Sequence, residues 1–253
     1  MTKIIINADD FGYSRAINYG IVDSYLNGVL TSTTLMVTMP GFDHAVELMQ
    51  TYPEFPVGLH LNFTFGSSLS NPQEIPSLLD KDNNFIKPKD FPDNLKYDRE
   101  EVYQEAKLQL EKFVTYTRRF PTHLDTHLFA SDVYEEVAEA VKRLANEFKI
   151  PVRNHATDYF EHIPFITQRT FGAEAGLLYV EKFLEEILQF DCVEIMSHPG
   201  YIDSYVLENT SYNLPRVAEV EFLCSSKFKQ KCREKKVEFI SYNDLLSNKE
   251  KKL

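Results

Sequence analysis

Apolar, β-branched runs alternate with segments of helical period from one end of this chain to the other, and that alternation restricts the fold more than any other feature. Residues 3–8 (KIIINA) read as a buried strand. Residues 16–27 follow as a helix with Ile17, Ile21, Val22 and Tyr25 on one face, closed by Gly28. Residues 32–38 form a second strand, 42–51 a second helix and 57–62 a third strand. A long helix over 98–119 is separated by Pro121 from a fourth strand at 122–126; a helix at 133–148 and a short fifth strand at 150–154 come next. A helix at 175–189, a sixth strand at 192–196, a helix at 214–235, a last strand at 237–241 and a helical turn at 242–247 complete the pattern. Seven strands, each followed by a helix or a long loop, imply a parallel sheet with right-handed crossovers. The expected fold is α/β, a distorted (β/α) barrel of about seven parallel strands, with an open doubly wound sheet as the alternative. No GxGxxG or P-loop follows any of these strands, so the nucleotide-binding form of the open sheet has no support.

Two stretches break the rhythm. Residues 63–97 are rich in Gly, Ser, Asn, Pro and Asp, a length that compact domains seldom leave irregular unless it covers a site. They are read as an insertion or lid within a single domain spanning 1–253, and residues 155–172 form a second irregular stretch. No repeat or linker is visible, and the lysines of 249–252 read as a solvated tail.

Charge narrows the partners. With 27 Lys and Arg against 38 Asp and Glu, the net charge of −11 repels phosphate backbones and anionic lipid, so neither nucleic acid nor a membrane is expected as a partner. Apolar runs fall short of the roughly 20 residues that span a bilayer, and no apolar leader precedes the first strand. A cytoplasmic protein is expected. Cys192, Cys224 and Cys232 are scattered, which argues against a disulfide framework and a thiolate zinc site and for buried free thiols.

In a barrel of this kind, catalytic groups lie at the carboxyl ends of the strands. Four of the strands read here end in acid or imidazole: NADDFG (7–12), GLHLN (58–62), HLDTH (123–127) and SHPG (197–200). Four of the seven histidines fall in these clusters. Asp9 and Asp10 could be a helix cap beside a solvated carboxylate, or a metal ligand beside a general base. His60 lies on the face of its strand opposite Val57, Leu59 and Leu61; alone it could be a hydrogen-bonded core residue. His123, Asp125 and His127, spaced by two, project from one face of an extended strand, and packing alone does not account for three such groups. One Asp and two His from three strands make the ligand set of a catalytic metal site, which leaves a position for water. Such an ion lowers the pKa of water from 15.7 towards about 7, and hydrolysis is the chemistry implied. The second Asp of the pair can serve as the base and His198 as the acid.

These motifs, together with TSTTLMVTMP (31–40), PTHLDTH (121–127) and SHPGY (197–201), resemble the YdjC-like carbohydrate deacetylases, which include the chitooligosaccharide deacetylases. The motifs follow the family's order over most of the chain. The resemblance implies a distorted βα barrel, a homodimer, and one divalent ion per active site. By position it makes Asp10, His60 and His127 the metal ligands, Asp9 the base and His198 the acid. His123 and Asp125 would then orient His127 or the substrate. Arg153 would orient the base or bind acetyl oxygen, unless it forms a surface ion pair. The family assigns magnesium, whereas two imidazoles and one carboxylate suit zinc or another transition metal better. Family members frequently carry another His after the HxDxH core, where this chain has Leu128 and Phe129, and Phe63 and Phe65 make the loop after GLHLN unusually aromatic. Both departures touch the sugar-binding mouth.

The expected activity is metal-dependent removal of the N-acetyl group from a small amino sugar or chitooligosaccharide, with acetate released. Tyr13, Phe65 and Tyr201 would stack on the sugar. Two alternatives remain at this stage: a glycosidase or phosphoesterase on the same barrel, with Asp9 and Asp125 as a carboxylate pair, and a sugar-binding protein without catalysis.

Overall fold

The computed structural model describes residues 1–88, 96–167 and 183–245. Its seven strands are β1 (Lys3–Phe11), β2 (Ser32–Leu35), β3 (Val57–Leu61), β4 (Leu124–Thr126), β5 (Phe165–Thr167), β6 (Cys192–Ser197) and β7 (Glu238–Phe239). They pair in the order β4-β3-β2-β1-β6-β5, with β7 beside the first residues of β1. Every ladder among them is parallel. Parallel neighbours cannot be joined by a hairpin, so the connections are crossovers, and the α/β barrel-like reading of the sequence holds.

The helices are α1 (Arg15–Asn27), α2 (Phe42–Thr51), α3 (Arg99–Thr117), α4 (Ala130–Val133), α5 (Glu135–Phe148), α6 (Ser204–Asn209), α7 (Leu214–Cys224) and α8 (Ser226–Glu234). Their starts follow the sequence chemistry. Ser14 caps α1 by accepting from Ile17 N–H, and Asp98 caps α3 by accepting from Glu100 and Glu101 N–H. A single helix expected over 214–235 is two, because Ser225 takes extended geometry (φ −62°, ψ 125°) and its hydroxyl caps α8 at Phe228 N–H. The helix expected at 175–189 is described only from 183, of which 183–187 is helical, and the tail at 249–252 lies outside the described residues.

Two strand expectations are corrected. Residues 150–154 make no strand; a single parallel bridge joins Val152 to Leu124, since Pro151 has no N–H to extend the ladder. The edge strand is instead β5, inside the stretch read as irregular. Residues 63–88 also carry more order than their composition suggests. Phe63, Ile75, Leu78 and Phe85 are fully buried in the main core, and Glu105 of α3 accepts from the N–H groups of Leu69 and Ser70. That core draws apolar side chains from β1, β2, β3, β4 and β6 together with the helices packed on them. Of the three cysteines, all free, only Cys232 is fully buried.

Gly58 of β3 shows how closely the strands' inner face is packed. A Cβ there would lie 2.6 Å from the His123 ring and 2.7 Å from its carbonyl oxygen, and the carbonyl is fixed in the β3–β4 ladder. Gly58→Ala is therefore expected to cost about 1–3 kcal/mol by overpacking. Thermal unfolding should show Tm lower by about 2–10 °C, and an unchanged Tm would refute the packing argument.

Candidate active site

β1 continues through both aspartates to Phe11, and the local backbone there decides where they point. In a regular strand, neighbours such as Asp9 and Asp10 face opposite sides of the sheet. Asp10 instead adopts a left-handed conformation (φ 69°), the register against β2 shifts between Ala8 and Phe11, and Gly12 follows at φ 91°. This bulge turns both carboxylates into one cavity. Gly12 N–H donates to Asn18 Oδ1 at 2.6 Å and Tyr13 N–H to Asp10 O at 3.0 Å, so the strained turn is held from α1 and from within. Asp9 and Asp10 are each 3% exposed; neither caps a helix.

The cavity has a volume of about 410 Å³ and opens at the strand ends, lined by Asp9, Asp10, His60, His127, His198 and Arg216, among others. His60 Nε2 lies 3.5 Å and His127 Nε2 3.9 Å from Asp10 Oδ1, and that oxygen is buried without a hydrogen-bond partner among the described residues. Each imidazole is fixed through its other nitrogen. His60 Nδ1 is 2.7 Å from Asp125 Oδ1, and His127 Nδ1 is 2.8 Å from Thr64 Oγ1. One carboxylate oxygen and two imidazole nitrogens thus face one another with their remaining atoms anchored, as ion-ligating groups require. The donor set fits a divalent metal ion.

A second trio, Asp9, His60 and Asp125, also has ligand atoms within 4.8 Å of one another. Its oxygens are otherwise engaged. Arg153 donates to both oxygens of Asp9 (2.6 and 2.8 Å) and lies 2.8 Å from Asp125 Oδ2, which also accepts from Thr34 Oγ1. Every carboxylate oxygen of that trio is already bonded, whereas Asp10 Oδ1, facing His60 and His127, has no hydrogen-bond partner among the described residues.

Arg153 is no surface residue. At 3% exposure it holds Asp9, Asp125 and Glu194 at once, the last through Nε at 2.8 Å, and Tyr242 O–H donates to the far oxygen of Glu194. Burial alone would raise Asp9, but the charge and hydrogen bonds of Arg153, with His60 and His198 nearby, hold its carboxyl well below the usual carboxylate range. Burial likewise pushes Asp10 up, and Arg216, His60 and His127 more than reverse it. Burial lowers His60, yet Asp125, Asp10 and Asp9 carry it up to about 10. Burial brings His127 down to about 4, against the pull of Asp10. Asp9 is thus held as an anion at neutral pH.

The structure does not bring every candidate to the cavity. His123 is buried behind it, stacked on Tyr242 with ring centroids 3.8 Å apart, its Nδ1 3.0 Å from Thr122 Oγ1. It does not orient His127; Thr64 does, and Asp125 orients His60 instead. Tyr201 is likewise absent from the wall: its hydroxyl bonds Asp23 of α1. Tyr13 and Phe65 do line the cavity, 6.0 Å apart and stacked on each other. His198 lines it too, its N–H bonded to buried Glu219 and its ring 5.5 Å from Tyr212.

Arg216 was not among the sequence candidates. Its Nη2 donates to Asp10 Oδ2 at 2.7 Å and its Nε to Tyr212 O at 2.7 Å.

The sequence matches the model of the YdjC-like protein family over residues 3–234. The chain belongs to this family. A relative from Listeria innocua named carbohydrate deacetylase 2 is 48% identical over 247 residues, covering 96% of this chain and 98% of its own. A carbohydrate deacetylase from Clostridium beijerinckii is 37% identical, covering 96% and 100%. Among solved structures, an Enterococcus faecalis V583 protein named for cellobiose-phosphate cleavage superposes with TM-score 0.87 at 29% identity, covering 96% of this chain and 98% of its own. A family 4 acetyl xylan esterase from Clostridium thermocellum, solved with a cobalt ion, shares the fold at TM-score 0.53 and 10% identity, covering 98% and 92%.

Proposed function

We propose that the protein is a metal-dependent carbohydrate deacetylase that hydrolyses the N-acetyl group of a small amino sugar or short chitooligosaccharide. The observation that carries this reading is the bulge at Asp10, which sets two carboxylates, His60, His127 and His198 around one cavity. The names of the relatives support the same reaction class.

Asp10, His60 and His127 would hold the ion. When bound, a divalent ion lowers the pKa of water and draws electrons from a carbonyl. Asp9, kept anionic by Arg153, accepts the proton of the attacking water as its oxygen bonds to the acetyl carbon. Cleavage of the C–N bond follows, and His198 delivers a proton to the departing nitrogen. The products are acetate and a free amine. Phe65 and Tyr13 give the cavity an aromatic wall for the sugar within a single-domain enzyme; of the expected lid at 63–97, residues 89–95 lie outside the described residues. A cytoplasmic homodimer belongs to the same reading; among the described residues no helix is long and apolar enough to cross a membrane.

The ligand set favours a transition metal over magnesium, which prefers oxygen donors and retained water. Metal analysis of protein purified without added ions should find zinc or a neighbour of it; magnesium alone at full occupancy would contradict this. Thr64→Val frees the His127 ring and is expected to weaken ion binding about 10–100-fold, read by chelator competition. An unchanged affinity would show that the Thr64 bond is dispensable.

A glycosidase is the weaker reading, because Asp125 is 1% exposed, does not line the cavity, and shares Arg153 with Asp9. Incubation with N,N′-diacetylchitobiose discriminates the two. Acetate without monosaccharide is expected, and monosaccharide without acetate would overturn the deacetylase reading.

A further inference from the structure

We infer that Arg216 is a substrate-contacting residue whose Nη1 donates a hydrogen bond to the acyl oxygen as negative charge develops there. The inference rests on the deacetylase reading above.

Arg216 comes from α7, far along the chain from the motifs, and is 4% exposed. Two of its three nitrogens are committed: Nη2 to Asp10 Oδ2 and Nε to the carbonyl of Tyr212, each at 2.7 Å. The third, Nη1, is buried without a hydrogen-bond partner among the described residues, although the residue lines the cavity. A buried, unsatisfied guanidinium N–H carries a desolvation penalty and is rarely left so without a purpose. The rings of Tyr13 and Tyr212 lie 6.0 and 5.5 Å from its Cζ and flank the group. The guanidinium plane is therefore set before any substrate arrives.

Charge gives the direction of the bond. Asp10 is shared: Oδ2 accepts from Arg216, while Oδ1 faces His60 and His127. A divalent ion at Oδ1 would draw on the same carboxylate and leave the guanidinium less neutralised. An oxygen gaining negative charge beside that ion is the partner which meets both needs. Donors fixed in advance at such an oxygen favour the transition state more than the ground state.

The test compares Arg216→Lys with the wild type on N,N′-diacetylchitobiose, reading kcat, KM and bound metal. Lys keeps a cation that can still reach Asp10 but loses the fork that presents a second donor. The expected result is a kcat lower by about 10²–10³, with KM within a few-fold and metal content unchanged. Should Arg216→Lys fold poorly, Arg216→Ala assayed with added guanidinium serves, and recovery of kcat is expected. Three results would overturn the inference: kcat unchanged, a change in KM alone, or loss of metal in proportion to activity. Failure of the wild type itself to release acetate would sink the deacetylase reading instead.

Discussion

Asp9→Asn is expected to yield a folded protein that binds its metal ion and has a kcat lower by about 10²–10⁴, the usual contribution of a positioned general base. The substitution keeps the shape of the side chain and removes its ability to take a proton. Arg153 retains Asp125 and Glu194, so its charge is still compensated, and the Asp10, His60 and His127 group is not touched. Acetate release, metal content and thermal unfolding measured on one preparation separate these effects. Activity within tenfold of the wild type would remove Asp9 from the reaction. Unaltered sugar binding and phenotype would favour a protein that binds sugar without acting on it.

Arg153→Met should have the largest effect on stability. Arg153 is the buried cation to which Asp9, Asp125 and Glu194 are all bound, and removing one partner of such a cluster costs about 3–5 kcal/mol. The pH dependence carries the sign. With Arg153 present, the Asp9 carboxyl is held below its ordinary value, so its contribution to stability is present above the unfolded pKa near 4 and is lost as the pH falls through the lower folded value. Without Arg153, burial dominates and raises the folded pKa. Stability is then lost as the pH rises from about 4 through that raised value. The deficit of the variant against wild type should therefore be greater at pH 8 than at pH 5 in urea unfolding. An equal deficit at both values would show that these carboxylates are not what the substitution exposes.

The strand ends are where the sequence is most informative. NADDFG, GLHLN and HLDTH put acids and imidazoles after apolar runs, and β1, β3 and β4 deliver them to one cavity or its floor. What that reading lacks is the way in which adjacent aspartates reach the same side, since the left-handed turn at Asp10 is not encoded by a glycine at that position. Arg216 escapes notice because charged residues in a helix are usually solvated. A signal was present nonetheless: Arg216, Glu219, Val220 and Leu223 are spaced as one helical face, so two charges sit on the apolar stripe of α7. Glu194 is a similar case, a carboxylate within the buried run of β6. Charges placed where the period demands apolar residues are the ones that build this site. The edge strand β5 was unreadable for another reason: three residues carry no usable period.

In the proposed mechanism every functional step depends on Asp10, His60 and His127 gripping one cation. Anomalous diffraction at the absorption edge of the bound metal tests this directly. The account predicts a single peak within coordination distance of Asp10 Oδ1, His60 Nε2 and His127 Nε2, whereas a peak between Asp9 and Asp125 would contradict it.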